Sequence, residues 1–423
     1  KYGANPLSSL NAYYQYVPFV SSTPPTVGDL KWKGFRFKHG EDLLVLGGKD
    51  LSGEYEMVVA GYGFEEDYAN KEVKGKWVVV RVGAPNRLSP TALFKAGREK
   101  LALAKSKGAI GLIEMYNVPT TPWRMLVNYL NKSQLTLDID PANNDNLPYL
   151  WMKDLKGEII KSIASGKNIM SIDIKGKRNR KIQGRNVIAV IEGSDPQLKN
   201  EYVMLSAHYD HLGVTKPNAE GDSIYNGARD NAVGTAALIQ AADYFGENPP
   251  KRSILLCAWT AEEKGLLGSE YYSENPVFPL ENTVNNINID MVGRIDYEYQ
   301  NAENQDYVYV IGSEMLSSQL KIINEYNNIT YTNLILDYRY DAEDDPNRFY
   351  YRSDHYNFAK HNIPVIFFFN GVHDDYHRPT DTVDKIEFDL MEKRAKLIFH
   401  TAWDLANREN RTPVDGTNNR TER

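Results

Sequence analysis

Six short apolar runs, at 186–191, 202–207, 253–259, 286–289, 307–311 and 364–369, constrain this chain more than any other feature. Each has the length and composition of a buried strand. Helical stretches at 232–245 and 266–272 lie between them. After the last run, Ile386, Leu390, Met391, Ala395, Ile398, Ala402 and Leu405 recur at helical spacing. Buried strands alternating with helices predict an α/β fold, a three-layer domain with a mixed sheet.

Several of these runs end on ionisable residues. His208 follows 202–207, and Asp210, two residues on along an extended chain, projects the same way. Glu262 and Glu263 follow 253–259, Asp290 follows 286–289, and His377 lies in the loop after 364–369. Asp230 opens the helix at 232–245. Each has a plain reading taken singly: a hydrogen-bonded His–Asp pair, an N-cap aspartate, an acidic turn, a turn-forming aspartate. Taken together those readings fail, because His208, Glu262, Glu263, Asp290 and His377 all fall just after a strand, where an open α/β sheet places its ligand sites, and Asp230 opens a helix, so that all are expected to converge on one edge of one sheet. Adjacent carboxylates repel, so Glu262 and Glu263 call for a cation or a raised pKa. Oxygen and imidazole donors without thiolate suit zinc or a similar divalent ion. One carboxylate can bridge two metals while each keeps a histidine and a further carboxylate, leaving one paired glutamate free as a base.

The amino-terminal half differs in character. Residues 1–30, rich in Pro, Ser and Tyr, read as an extended lead-in packing on the catalytic domain. Residues 31–182 carry short β-like runs broken by glycines, a helix-like stretch at 94–107 ended by Gly108, and a strand at 109–115. With His39 as its single histidine, this half reads as a β-rich, non-catalytic domain. The basic segment 175–185 reads as a solvated link to the catalytic domain, 183–406, and the polar stretch 407–423 as a mobile tail.

Composition closes off other classes. A net charge of −7 argues against a nucleic-acid partner. No apolar run approaches the ~18 residues of a membrane span. The single cysteine, Cys257, lies in an apolar run and reads as a buried, inert thiol. The chain begins at Lys1 without a visible leader, as a processed chain does. Oligomeric state is left open.

Residues 184–406 resemble the zinc aminopeptidase family with two co-catalytic metals, related to bacterial leucine aminopeptidases and glutamate carboxypeptidase II. The resemblance rests on His208-Tyr-Asp210, Asp230-Asn-Ala-Val-Gly234, Thr260-Ala-Glu-Glu-Lys-Gly-Leu-Leu-Gly-Ser269, Asn288-Ile-Asp290 and Tyr376-His377. It implies two zinc ions, one held by His208, Asp230 and Asp290, the other by Asp230, Glu263 and His377. It further implies Glu262 as general base, Tyr376 stabilising the tetrahedral oxyanion, Asp210 behind the ligands, and a cis Asp230–Asn231 peptide. The activity implied is removal of N-terminal residues from peptides by a water activated between the zinc ions, in a secreted or periplasmic protein. His211 and His373 compete as ligands, but the family pattern favours His208 and His377. Ser353 reads as the N-cap of a helix at 354–360, with Asp354 or His355 supporting the ligands or the pocket. The stretch 341–352 lines the substrate pocket or forms a solvated loop.

The rivals are a carboxypeptidase or dipeptidase of the same fold, and a non-catalytic receptor-like binding protein. A glutaminyl cyclase uses one zinc, and proteins with a dead peptidase fold lose ligands; here both ligand sets are filled. Residues 73–82, 94–97 and 104–113 resemble the protease-associated domain, which implies a lid or substrate-positioning module, the plainer alternative being a spacer.

Overall fold

The computed structural model describes residues 3–6, 13–85, 90–118, 122–139 and 147–417. The chain forms two compact units, Lys1–Pro18 with Gln183–Arg423, and Phe19–Ile182.

The first unit is built on a mixed sheet. Its strands run in the order Ile335–Asp337, Tyr307–Ile311, Val365–Phe369, Thr283–Ile289, Tyr202–His208, Ser253–Trp259, Arg178–Ile191, Tyr14–Thr23, the last two carrying the chain across the unit boundary. The four strands from Val365–Phe369 to Ser253–Trp259 are mutually parallel, so their carboxyl ends share one edge. Antiparallel strands flank them: Tyr307–Ile311 on one side and Arg178–Ile191 on the other.

Alternate residues of these strands serve opposite faces. Val203, Leu205 and Ala207 pack with Ala237, Ala241 and Phe245 of the helix Val233–Glu247, and with Ile398 and Ala402 of Phe388–Asn407. Met204, Leu255, Cys257 and Trp259 pack on the other face with Tyr272 of Leu267–Glu274 and Phe358 of His355–Ala359. The sheet is therefore the middle of three layers. Thr283–Ile289 starts earlier than hydrophobicity indicates, because its buried asparagines are matched. Asn285 donates to Thr412 Oγ1 (3.0 Å) and Asn286 to Ser206 Oγ (2.9 Å).

Two polar segments depart from expectation. Residues 408–416, expected to be mobile, lie along the first unit. Arg411 donates to Glu201 Oε1 (2.9 Å) and the Glu281 carbonyl (2.7 Å), and Asp415 accepts from the Ser318 amide (2.8 Å) and hydroxyl (2.6 Å). Polar side chains here find protein partners while staying exposed. Residues 418–423 of that tail lie outside the described residues. The basic segment 175–185, expected as a solvated link, falls largely within the strands Asn168–Lys175 and Arg178–Ile191; the side chains of residues 178–181 are exposed, with Arg178 paired to Asp50 (2.8 Å) and Lys181 to Asp138 (2.6 Å).

The second unit is β-rich. An eight-stranded sheet runs Phe35–Phe37, Thr26–Trp32, Asn168–Lys175, Leu51–Val59, Trp77–Arg81, Gly111–Tyr116, Tyr149–Lys153, Leu43–Gly47. Trp77, Val79, Ile113, Leu150, Met170 and Ile172 form its core. Gly111 is required by packing, since a Cβ there would lie 2.4 Å from the Trp77 ring. The unit also encloses an ion pair, Lys100 Nζ to Glu114 Oε1 at 2.6 Å with both side chains 0% exposed. Lys100 donates further to the Arg81 carbonyl (2.8 Å), and Glu114 Oε2 accepts from Trp151 Nε1 (2.7 Å) and the Tyr149 hydroxyl. Such matching offsets the desolvation cost of burying two charges.

Candidate metal centre

The ends of the four parallel strands bring the ionisable residues together. His208 closes its strand, and its Nδ1 donates to the Asp210 carbonyl at 3.1 Å. That bond turns Nε2 towards Asp230 Oδ1 (3.2 Å), Asp290 Oδ1 (3.4 Å) and Glu262 Oε2 (3.9 Å). The Asp210 carboxylate is 3.9 Å from the His208 ring. It accepts instead the backbone N–H of Glu262 (3.0 Å) and Glu263 (3.4 Å), and so holds the turn that displays both glutamates.

Asp230 sits between two groups of donors. The peptide to Asn231 is cis. Asp230 does not cap the helix that follows, whose N-cap is Ala232; Asn231 accepts the Gly234 N–H on Oδ1 (3.0 Å) and donates to the Ile289 carbonyl (2.9 Å). The Asp230 carboxylate is thus free, with Oδ1 3.2 Å from His208 Nε2 and Oδ2 3.1 Å from His377 Nε2. Its backbone is pinned on both sides. The fully buried Arg229 donates to the carbonyls of Met291 (3.0 Å), Gly371 (2.8 Å) and Asn370. The Asp381 carboxylate accepts the N–H groups of Arg229 (3.1 Å) and Asp230 (3.2 Å).

Donor atoms of His208, Glu262 and Asp290 lie within 4.8 Å of one another, and so do those of His211, Asp230 and Glu263. His377 reaches the second group, with Nε2 3.3 Å from Glu263 Oε2. His211, ranked behind the other histidines on sequence, belongs to the cluster: its Nδ1 is 2.7 Å from Glu263 Oε1 and 3.8 Å from Asp230 Oδ2. His373 does not; its Nδ1 accepts from the Asp375 N–H (3.0 Å) and from Arg294 (3.3 Å). Ser353, expected to cap a helix, turns its hydroxyl to the stronger acceptor, Asp290 Oδ2 (2.8 Å), and accepts from Asn288 Nδ2 (2.8 Å). That leaves Asp290 Oδ1 to face the cluster. Behind it Asp354 is wholly buried and accepts from Ser269, and the His355 ring stacks on Phe367 at 4.6 Å.

Burial opposes charge throughout this site, and the neighbours decide the outcome. Burial alone would lower the His208 pKa, yet Glu262 and Asp290, with hydrogen bonds to Asp230 and Asp290, lift it well above the ordinary value. His377, also opposed by burial, is raised to about 9 by its bonds to Asp230 and Glu263. Burial drives Glu262 well above the usual carboxylate range, helped by Asp354, Asp290 and Asp230. Burial would raise Asp230 and Glu263 too, but the imidazoles beside them hold both low. Burial takes Asp354 up to about 7, and burial with Asp230 nearby raises the Tyr376 phenol. Protons are standing in for positive charge among crowded carboxylates, a role a divalent cation fills more strongly. Unmatched atoms point the same way. His211 Nε2 is buried without a hydrogen-bond partner, and Glu263 Oε1, Asp290 Oδ1 and His211 Nδ1 have only the other ionisable groups of the cluster beside them, a costly state that a cation would relieve. Oxygen and imidazole donors in two groups joined by Asp230 fit two ions of the zinc class.

A pocket opens beside the cluster. Met291, Phe349, Phe367, Phe369 and Val372 form its apolar wall, and Arg352 and Tyr376 also line it. Arg352 donates to the Tyr376 hydroxyl at 3.4 Å, and the Tyr376 ring stacks on His377 at 3.9 Å. The stretch 341–352 divides between the two expectations for it: Phe349 and Arg352 line the pocket, while residues 342–344 and 346–348 are exposed.

Residues 186–402 match the profile of peptidase family M28. A probable zinc metalloprotease of Pyrenophora teres f. teres is 27% identical over 261 residues, covering 52% of this chain and 51% of that protein. Leucine aminopeptidase 2 of Arthroderma otae is 26% identical over 312 residues, covering 68% of this chain and 55% of that protein. The chain spans about half the length of the curated relatives it matches. Among solved structures, an aminopeptidase from Aneurinibacillus sp. strain AM-1 superposes with a TM-score of 0.55 at 19% identity, covering 98% of this chain and 87% of that one, a likeness of fold.

Proposed function

The chain belongs to peptidase family M28, and from that premise we propose that it is a zinc-dependent aminopeptidase with two co-catalytic ions. The observation that carries the reading is the Asp230 carboxylate, one oxygen turned to each of two donor groups. His208, Asp230 and Asp290 would hold one ion, and Asp230, Glu263 and His377 the other, with His211 steadying Glu263. Bound zinc would supply Lewis-acid polarisation of the scissile carbonyl and would acidify a water. Glu262, left without ligand duty, takes the proton from the attacking water and passes it to the leaving amine. Tyr376 offers its hydroxyl to the oxyanion. Asp210 acts through the backbone of Glu262 and Glu263. The apolar wall favours a terminal residue with an apolar side chain. The second unit is read as a protease-associated domain, a non-catalytic module for positioning substrate. The enzyme is read as secreted or periplasmic, and among the described residues no helix is long and apolar enough to cross a membrane.

One experiment tests the activity. A peptide set is offered to the zinc-loaded protein with free N-termini, with acetylated N-termini and with amidated C-termini, and products are read by mass spectrometry. Loss of N-terminal residues, abolished by acetylation alone, is the expected result. Release of C-terminal residues, abolished by amidation, replaces the reading with a carboxypeptidase. Two ions per chain with no cleavage of any peptide replaces it with a binding protein.

A further inference from the structure

The second unit holds a cavity of about 420 Å³, the scale of a small-ligand site. Arg98, Lys132 and Lys177 line it, together with Phe94, Tyr129 and Tyr149. Among the described residues no aspartate or glutamate lines it, and none of the three cations has an ion-pair partner. That is a pointed arrangement in a chain with 56 acidic residues and a net charge of −7, where counter-charges are plentiful. Three unpaired cations around one concave surface set up a local field that attracts anions.

Two of the aromatic walls, Tyr149 and Phe94, are fixed in advance. The Tyr149 hydroxyl donates to Glu114, and Glu114 is locked by Lys100 at 2.6 Å with both side chains wholly buried. Phe94 stacks on the buried Trp151 at 5.4 Å. Walls that are ordered before a ligand arrives need lose no further freedom when it binds. Cationic rim and aromatic wall together match a ligand that carries carboxylates beside an apolar group. The size of the cavity and the negative balance of the chain both disfavour an extended polyanion such as nucleic acid.

We infer that this cavity binds an acidic segment of a peptide. The carboxylates pair with Arg98, Lys132 and Lys177, and an apolar or aromatic side chain lies against Phe94 and Tyr129. The choice of a peptide over another polycarboxylate rests on the peptidase reading. The site is one of recognition: it selects peptides by residues other than those at the bond cleaved.

The test uses the zinc-loaded full chain and calorimetric titration. The probe is an acetylated, amidated tetrapeptide with two phenylalanines between two glutamates, and its counterpart with glutamines is the control. Acetylation keeps both from being held as N-terminal substrates. The glutamate peptide should bind about tenfold or more tightly than the glutamine peptide, and high salt should erase the difference. Lys132→Glu combined with Lys177→Glu, both exposed positions, should weaken the glutamate peptide by about tenfold or more and leave turnover of a short neutral substrate unchanged. Equal affinity for the two peptides, no binding of either, or binding indifferent to the charge reversal would overturn the proposal. A native chain that binds the probe with the expected selectivity but cleaves nothing would overturn the peptidase reading and leave the acidic-segment site standing.

Discussion

Replacing Asp230 with asparagine interrogates the joint between the two donor groups. The substitution keeps the volume and removes the charge. Asp230 Oδ1 and Oδ2 lie 3.2 Å and 3.1 Å from Nε2 of His208 and His377. An amide has one acceptor oxygen, so in either orientation one group loses its donor, and both lose the negative charge. An ion present at a thousand times its Kd stabilises the folded chain by about 4 kcal/mol. Two ions give about 8 kcal/mol, and at some 2–4 °C per kcal/mol zinc should raise the Tm of the native chain by about 16–32 °C. His377→Ala, which touches the second group alone, should retain about half of that increment by the same arithmetic. Asp230→Asn should retain little of it. The assay is scanning calorimetry of each protein in chelator and in zinc, alongside metal analysis, so that the zinc-dependent increment is read and not the absolute Tm. An Asp230→Asn protein that carries two ions and shows the native increment would refute the shared-ligand reasoning, and Asp230 would be a structural residue of the turn.

Three further outcomes are expected. Glu262→Gln should keep two ions per chain and lower kcat by about 10²- to 10⁴-fold; full activity in steady-state kinetics would remove Glu262 from the base role. Lys100→Met leaves the Glu114 carboxylate buried without its cation and should cost about 3–5 kcal/mol in urea unfolding; adding Glu114→Gln should recover much of this, and a native-like midpoint for the single variant would mean the pair is not enclosed in solution. Burial pushes the His355 pKa down to about 3, below the ~6.5 of an unfolded histidine. The unfolded chain therefore takes up this proton first as pH falls, so the contribution is fully present above pH ~6.5 and is lost towards pH 3, at up to about 1.4 kcal/mol per unit. His355→Phe should flatten the stability profile across that window, and an unchanged slope in denaturant titrations would contradict a buried neutral imidazole.

What sequence makes legible here is whatever follows directly from an apolar strand. His208, Glu262, Glu263 and Asp290 stand within a few residues of a strand end, and the direction of the strand fixes where they go. His211 is not settled by that logic. It lies as near its strand end as Glu262 does, but the resemblance favours His208 and His377 over it, and it reaches Glu263 because the chain at Gly227 has no side chain to block it: a Cβ there would lie 2.6 Å from the His211 ring. The signal was the Gly227 two residues before Arg229, but a glycine in a loop has too many ordinary uses to be read alone. Ser353 departs from its expected capping role for a related reason, since sequence shows that a serine precedes a helix but not that a charged acceptor at the end of another strand competes for its hydroxyl. The strand Tyr14–Thr23 was hidden by Gln15, a polar residue at a buried position made acceptable by bonds to the Asn275 carbonyl (2.7 Å) and from Asn186 (2.9 Å). In each miss a local pattern was outweighed by a partner far away in sequence.

The donors of the cluster are scattered along the chain from residue 208 to residue 377, one loop per parallel strand. No fragment synthesised before the Val365–Phe369 strand contains the complete set. During synthesis, or after partial unfolding, the chain holds isolated imidazoles and carboxylates with ordinary, weak affinity for cations. The tight site appears only when the central sheet has closed in its native order. On the proposed reading, metal capture would therefore report correct assembly, and a chain that has not passed that inspection would carry no competent centre with which to attack the peptides around it.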